Sequence, residues 1–393
     1  MALPTGFLAG GVACGIKSDP TTPDLALFAS DRPATSAGVF TTNRVVGAPV
    51  KVSRERIGRT GARAVLINSG NSNACTGERG IKDALWMTAE VAARLGCVPQ
   101  DVLICSTGVI GRFLPTDRIA TGIGPVVDSL VATEVGFLAA ARAMMTTDTV
   151  PKQASQTVSL GGRPVTIAGA CKGAAMIAPN MATMLGVLMT DVRLAPRDAQ
   201  SLLAAAVEDT FNSISVDQHQ STSDTVLLLA NGASGVELTG ESRETFQGAL
   251  TDVCRELATH IIRDAEGASH FVTIDVVGCR DRCEARRMAR SVADSPLVKT
   301  AIAGNDPNWG RIVSAAGYAG VPFEERECSL SINDIEVYRS GAPTDFQENA
   351  VSAAMRTGEV RLTLTFTHGS AAARFWTCDL TAEYVRLNAD YTT

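Results

Sequence analysis

Lys172 and Thr183 stand in a stretch, residues 172–191, whose other members are almost all apolar or small. A buried ammonium must find a counter-charge or lose its proton. A buried threonine hydroxyl must hydrogen-bond or act as a nucleophile. Hydroxyl nucleophiles normally need a base beside them. The chain holds four histidines, none set in a recognisable pattern with a Ser or Cys, and it lacks the Gly-x-Ser-x-Gly elbow of many hydrolases. A solution without histidine is a threonine whose own α-amino group serves as base, which requires the peptide bond before it to be cut. Ala182–Thr183 offers such a bond, because a small preceding residue leaves room for Thr183 Oγ1 to reach the Ala182 carbonyl. Taken alone, the same stretch also reads as an ordinary core strand or turn.

Other segments could complete such a site. Asn68-Ser-Gly-Asn-Ser-Asn-Ala-Cys-Thr-Gly77 is a dense Asn/Gly loop able to hold unusual backbone angles, or simply a tight turn. Ser106-Thr-Gly-Val-Ile-Gly111 follows a short apolar run, and a strand leading into a glycine-containing turn can aim N–H groups at an anion or oxyanion. Met145-Thr-Thr-Asp148 gives a polar end to an apolar segment. Neither a dinucleotide Gly-rich fingerprint nor a P-loop is present.

The elements that must position these residues follow from periodicity. Strands are expected over 24–30, 37–42, 50–53 and 62–67. A helix follows from Ile81, with Ala84, Leu85, Val91, Ala92 and Leu95 on one stripe and Gly96 as its stop. A strand over 101–105 and helices within 115–130 and 136–145 come next. Residues 156–160 and 164–168 flank Gly161-Gly162 as a hairpin that delivers the chain to Lys172. Pro196 opens a helix to about Asp209, residues 217–224 form a polar loop, and 225–229 is a strand. Helices over 243–263 and 284–293 bracket a strand at 271–277, and residues 304–311 are too rich in turn formers for regular structure. Strands over 329–332, 336–338, 360–366 and 373–377 lead to a polar tail, 384–393. The mixture is α/β or α+β, with hairpins favouring mixed sheets.

With 393 residues, 45% hydrophobic and 19% charged, the chain can bury a large core and carries no sign of extended disorder. A net charge of -6 without a basic cluster argues against a nucleic-acid surface. No apolar run reaches membrane-spanning length and no secretory pattern is visible at the start, so a cytoplasmic protein is expected. Ten scattered cysteines read as reduced thiols. Cys279 and Cys283, with His260 and His270 nearby, lack a second pair at zinc spacing, so no metal is expected.

The run from Lys172 through Pro179, Asn180, Met181, Ala182 and Thr183 to Leu185 resembles the autoprocessing segment of the ornithine acetyltransferases, the bifunctional glutamate N-acetyltransferase family of arginine biosynthesis. Gly11-Val-Ala-Cys-Gly-Ile-Lys17, Asn71 to Gly77, Ser106 to Gly111, Met145 to Asp148, Asp264-Ala-Glu-Gly267, Ser295 to Ala301, Asp306 to Arg311 and Asn388 to Thr393 resemble family motifs in the family's order.

The resemblance implies a layered α-β-β-α sandwich of the self-processing aminopeptidase/ornithine acetyltransferase type. It implies self-cleavage into an α chain, 1–182, and a β chain, 183–393, whose apolar start reads as a buried strand or helix. Thr183 would be the nucleophile, Thr107 and the Gly108 N–H the oxyanion hole, and Thr146 (or its neighbour Thr147), Lys172, Thr183, Glu266, Asn388 and Thr393 the substrate contacts. The implied reaction moves acetyl from N2-acetylornithine to glutamate by a ping-pong route. It needs no cofactor, acetyl-CoA is a possible second donor, and an α2β2 assembly is implied. The competing readings are an amidohydrolase or aminopeptidase of the same fold, a specialised acetyltransferase of secondary metabolism, and a binding protein that never cleaves. Two departures from the family pattern, Gln218-His219-Gln220 and Ala268-Ser269-His270, read as neutral loop changes, with His219 and His270 as loop or strand residues rather than catalysts.

Overall fold

Residue alternation decides the layering. The computed structural model describes residues 1–178 and 184–390. It opens with β1 (Phe7–Val12), antiparallel to the first part of β2 (Leu25–Phe40). Next come α1 (Ala48–Arg56), β3 (Ala62–Asn71), α2 (Gly77–Leu95), β4 (Val102–Val109), α3 (Thr116–Asp128) and α4 (Glu134–Met144). A hairpin of β5 (Lys152–Leu160) and β6 (Arg163–Lys172) turns on Gly161 and Gly162, both at positive φ. β7 (Leu185–Thr190), α5 (Pro196–Glu208), β8 (Ile214–Ser215), β9 (Thr225–Ala230) and α6 (Gly240–Arg263) follow.

The strands run in the order β4-β3-β2-β9-β7-β6-β5, with β1 added beside β2. β2 belongs to both halves: its first part pairs with β3 and its last part, Thr35 to Phe40, with β9. The register breaks between Ala29 and Ala34, where Asp31, Arg32 and Pro33 are exposed. Successive residues of each strand then face different cores. Leu25 and Leu27, Ala64 and Leu66, and Val102 and Ile104 pack under α2 and α3. Their alternates, Phe28, Val65, Ile67 and Leu103, meet Ala168, Ala170, Val187, Leu227 and Leu229 from the other half, with Phe137 and Met144 of α4 between. Ile167, Leu188, Val226 and Leu228 face α5 and α6. Helices, half-sheet, half-sheet, helices: the expected α-β-β-α layering is met.

The remaining chain builds a second sheet. It contains β10 (Phe271–Cys279), α7 (Arg282–Ala293), α8 (Pro296–Ala303), α9 (Trp309–Gly317), β11 (Cys328–Ile332), β12 (Ile335–Arg339), β13 (Ala342–Pro343), α10 (Glu348–Met355), β14 (Glu359–Phe366), β15 (Ala371–Cys378) and α11 (Ala382–Asp390). The strand order is β13-β12-β11-β14-β10-β15-β8, with β10 parallel to β14 and antiparallel to β15. Val272, Ile274, Val276, Leu362 and Leu364 pack against the helices. Asp275, with the opposite alternation, bridges Arg361 at 2.7 Å and Arg374 at 2.6 Å.

Three expectations are corrected. Residues 50–53 are helical, not a strand. Pro49 in the first turn presets the helical φ, and Val50, Val52, Ser53 and Arg56 are buried along α1. Residues 304–308 are irregular as expected, but 309–311 are already helical, as the start of α9. Ser295 accepts from Val298 N ahead of α8, and Asn308 accepts from Arg311 N ahead of α9. The polar tail is helical as far as Asp390, as α11. Among the described residues no helix is long and apolar enough to cross a membrane, and no three His, Cys, Asp or Glu side chains are grouped to hold a metal.

Candidate active site

Thr107 and Gly108 occupy the end of β4, where its parallel pairing with β3 becomes irregular at Gly70 and Asn71. Gly108 has φ +128°, a region closed to side chains, and a β carbon there would lie 2.3 Å from the Gly70 carbonyl carbon. Two strands therefore approach at a point where only glycine fits. Lys172 closes β6, followed by Gly173 at φ +152°. Its Nζ donates to Thr107 Oγ1 at 3.2 Å, and both residues are nearly inaccessible, at 4% and 6% exposure.

These residues form the floor of a cavity of about 300 Å³. Thr146 and Thr147 enter from the segment after α4, Glu266 from the turn after α6, and Asn388 from α11. Asn388 Nδ2 donates to Glu266 Oε2 at 2.9 Å. The structure thus brings Thr107, Gly108, Thr146, Lys172, Glu266 and Asn388 around one space, although they are far apart in the chain. Ala182, Thr183 and Thr393 lie outside the described residues.

A buried ion network supports that space. Asp148 accepts from Lys152 Nζ at 2.6 Å, from Gly173 N at 2.6 Å and from Thr146 N at 3.0 Å. Lys152 Nζ also reaches Asp264 Oδ2 at 2.5 Å. Asp264 accepts from Thr149 N, and Glu266 N donates to Ala174 O. One lysine and two carboxylates therefore tie together the segments that carry Thr146, Lys172 and Glu266. Burial pushes the Asp148 carboxyl up, but Lys172, Lys152 and the Gly173 N–H together hold it below the ordinary range. Lys152 is lowered by burial and raised more by Asp148 and Asp264, so the pair stays charged.

Lys172 is pushed below the ordinary lysine range, first by burial. Asp148, Asp224 and Glu266 oppose that shift, while Lys152 adds to it. Burial likewise pushes Asp224 well above the carboxylate range, against the Met184 N–H and others. Asp224 Oδ1 accepts from Met184 N at 3.0 Å, and Oδ2 has no hydrogen-bond partner among the described residues.

The mouth contains groups that sequence reasoning did not assign. Asp217 accepts from Met176 N at 2.6 Å, Ile177 N at 2.8 Å, His219 N at 3.2 Å and Tyr384 Oη at 3.0 Å. Those contacts hold Met176 at a positive φ and pin α11 across the opening. Burial and the Asp217 carboxylate push the Tyr384 phenol up, so it remains a donor. His219 lines the cavity from the same loop; His270 does not. His270 is buried, with Nδ1 2.8 Å from Asp379 Oδ2 and Nε2 3.1 Å from Asn305 Oδ1. Asp148 closes the Met145–Asp148 motif, but nothing in the sequence points Lys152 or Tyr384 toward this space.

Comparison with known proteins decides the family. A model described as the ArgJ family matches residues 8–393. The chain belongs to the ArgJ family. A Rhodopirellula baltica protein named "Arginine biosynthesis bifunctional protein ArgJ" is 46% identical over 397 residues, spanning 100% of this chain and 96% of that protein. A Parasynechococcus marenigrum ArgJ protein is 44% identical over 392 residues, spanning 99% and 94%. The crystal structure of an arginine biosynthesis bifunctional protein argJ from Bacillus halodurans superposes with a TM-score of 0.51 at 36% identity, covering 52% of this chain and 98% of that one. The resemblance read from the motifs is borne out, and with it the expectation of an ArgJ enzyme of arginine biosynthesis with a mixed α/β fold.

Proposed function

We propose that the chain cuts itself between Ala182 and Thr183 and then transfers acetyl from N2-acetylornithine to glutamate. The free α-amine of Thr183 takes the proton from Oγ1 as this oxygen attacks the acetyl carbonyl. The amide C–N bond breaks, the proton passes to the departing nitrogen, and ornithine leaves an acetyl-threonine ester. The α-amine of glutamate then attacks the ester. Its C–O bond breaks, Oγ1 regains a proton and N-acetylglutamate departs. Thr107 and the Gly108 N–H stabilise both tetrahedral intermediates. Lys172 holds the α-carboxylate shared by the two amino acids, with Thr146, Glu266, Asn388 and Thr393 as further contacts. Fragments 1–182 and 183–393 stay together, in an α2β2 assembly, and acetyl-CoA can serve as a second donor.

The observation that carries this reading is the convergence of Thr107, Gly108, Lys172 and Glu266 on one cavity in a chain of the ArgJ family. A denaturing gel with N-terminal sequencing tests the cut, and a fragment beginning at Thr183 is expected. Purified protein is then given acetylornithine with and without glutamate. Glutamate-dependent ornithine release supports transfer, whereas release at full rate without glutamate identifies a hydrolase. Thr183→Ala abolishes both processing and turnover. Replacing acetylornithine by acetyl-CoA tests the second donor, and light scattering tests the assembly.

A further inference from the structure

A ping-pong reaction at one nucleophile places the α-nitrogens of donor and acceptor at the same point. Their side chains then share the same exit, and on the reading above one ends in an ammonium and the other in a carboxylate. A mouth of a single charge sign would favour one substrate and reject the other. The floor is the buried end, with Lys172 and Thr107 almost inaccessible. The side chains therefore extend toward Glu266, Tyr384, Asn388 and the exposed His219.

Most of the polar groups there are already engaged. Asp217 accepts four hydrogen bonds, as many as a carboxylate readily takes. Tyr384 Oη donates to Asp217, and Asn388 Nδ2 to Glu266 Oε2. Glu266 keeps capacity to accept from a cation. His219 uses its backbone N–H on Asp217, and its imidazole has no hydrogen bond or ion pair among the described residues. Among the described residues at the mouth, away from Lys172 on the floor, it is the titratable side chain left free to donate to an anion.

We propose that His219 determines acceptor specificity by receiving the distal carboxylate of glutamate, while Glu266 receives the distal ammonium of the donor. His219 offers the mouth a donor for an anion and Glu266 an acceptor for a cation, which lets one cavity serve two oppositely charged amino acids in turn. This rests on the acetyl-transfer reading.

The test measures KM for acetylornithine and for glutamate separately, on processed protein, in wild type and in His219→Gln, His219→Lys and His219→Glu. Charge at this position is expected to move the two constants in opposite directions. His219→Glu raises the glutamate KM about tenfold or more, the scale of a hydrogen bond to a charged group, and does not raise that for acetylornithine. His219→Gln raises the glutamate KM less, and His219→Lys restores it. An exposed loop position should tolerate all three, and the extent of processing on a gel checks that the variants fold. Equal changes in both constants, or no change in His219→Glu, overturn the assignment while leaving the transferase reading intact. Wild-type protein that does not need glutamate overturns the transferase reading itself, and the assignment with it.

Discussion

Lys152 and Asp148 form an ion pair 2.6 Å long whose side chains are both wholly buried. Such a pair offsets its own desolvation only with well-placed additional partners, which Asp264, Gly173 N and Thr146 N supply. Removing the cation leaves two buried carboxylates facing each other, so Lys152→Met is expected to cost about 3–5 kcal/mol. Asp148→Asn costs less, because Lys152 keeps Asp264. Urea unfolding measures both. The pH sign follows from the depressed Asp148 carboxyl. Its contribution is complete above about pH 4 and is lost as pH falls through the folded value. Asp148→Asn therefore flattens the acid side of the stability curve, and an unchanged acid limb contradicts this.

Thr107 and Gly108 are neighbours that should fail in different ways. Thr107→Ala removes a hydroxyl from the cavity floor without disturbing the strands. It is expected to lower kcat about 10²–10³-fold with a smaller change in KM, the usual effect of losing one oxyanion donor. Gly108→Ala places a β carbon 2.3 Å from Gly70 backbone at φ +128°, so it should fail in folding before it fails in catalysis. Soluble yield and the melting curve distinguish the two.

Tyr384 and Asp217 hold α11 over the mouth. Tyr384→Phe leaves Asp217 with three N–H donors and is expected to cost about 1–2 kcal/mol, with faster proteolysis within residues 382–390 and a raised KM for both amino acids. Asp217→Ala also releases Met176 N and Ile177 N, and Met176 then loses what holds it at positive φ, so its effect should be the larger. Limited proteolysis compares them. Equal digestion of wild type and Tyr384→Phe would falsify the pinning role.

Strands and helices with a single clear period were legible in the sequence: β3, β6, α2, α5 and α6 lie close to where their alternation or stripe puts them. Short segments were not. Val50 and Val52 alternate as a strand would, but Pro49 and burial of the α1 face win. Asn308 reads as a loop former because the residues that make turns also cap helices. The motifs marked Thr107, Gly108, Thr146, Lys172, Glu266 and Asn388. Tyr384 escaped because its partner Asp217 is 167 residues away, and Lys152 because its tie to Asp264, 112 residues away, is what links the segments; its near partner Asp148 alone announces no site.

Lys172 gives the sharpest pH test. Burial pulls its ammonium below the ordinary 10.5, with Lys152 acting in the same sense, while Asp148, Asp224 and Glu266 oppose. If the charged form holds the substrate carboxylate, kcat/KM must fall as pH rises through this depressed value, earlier than an ordinary lysine would allow. Asp148→Asn removes the largest opposing influence and should move the alkaline limb further toward acid. Lys172→Arg, which does not deprotonate in the accessible range, should remove the limb at the cost of a lower plateau. Stability runs the other way. Between the folded value and 10.5 the unfolded chain binds more protons at this site, so folding gains from this group as pH rises. Activity lost over that interval in a protein whose melting temperature is not falling in step is the expected signature. An alkaline limb that Asp148→Asn and Lys172→Arg both leave in place would assign it to another group.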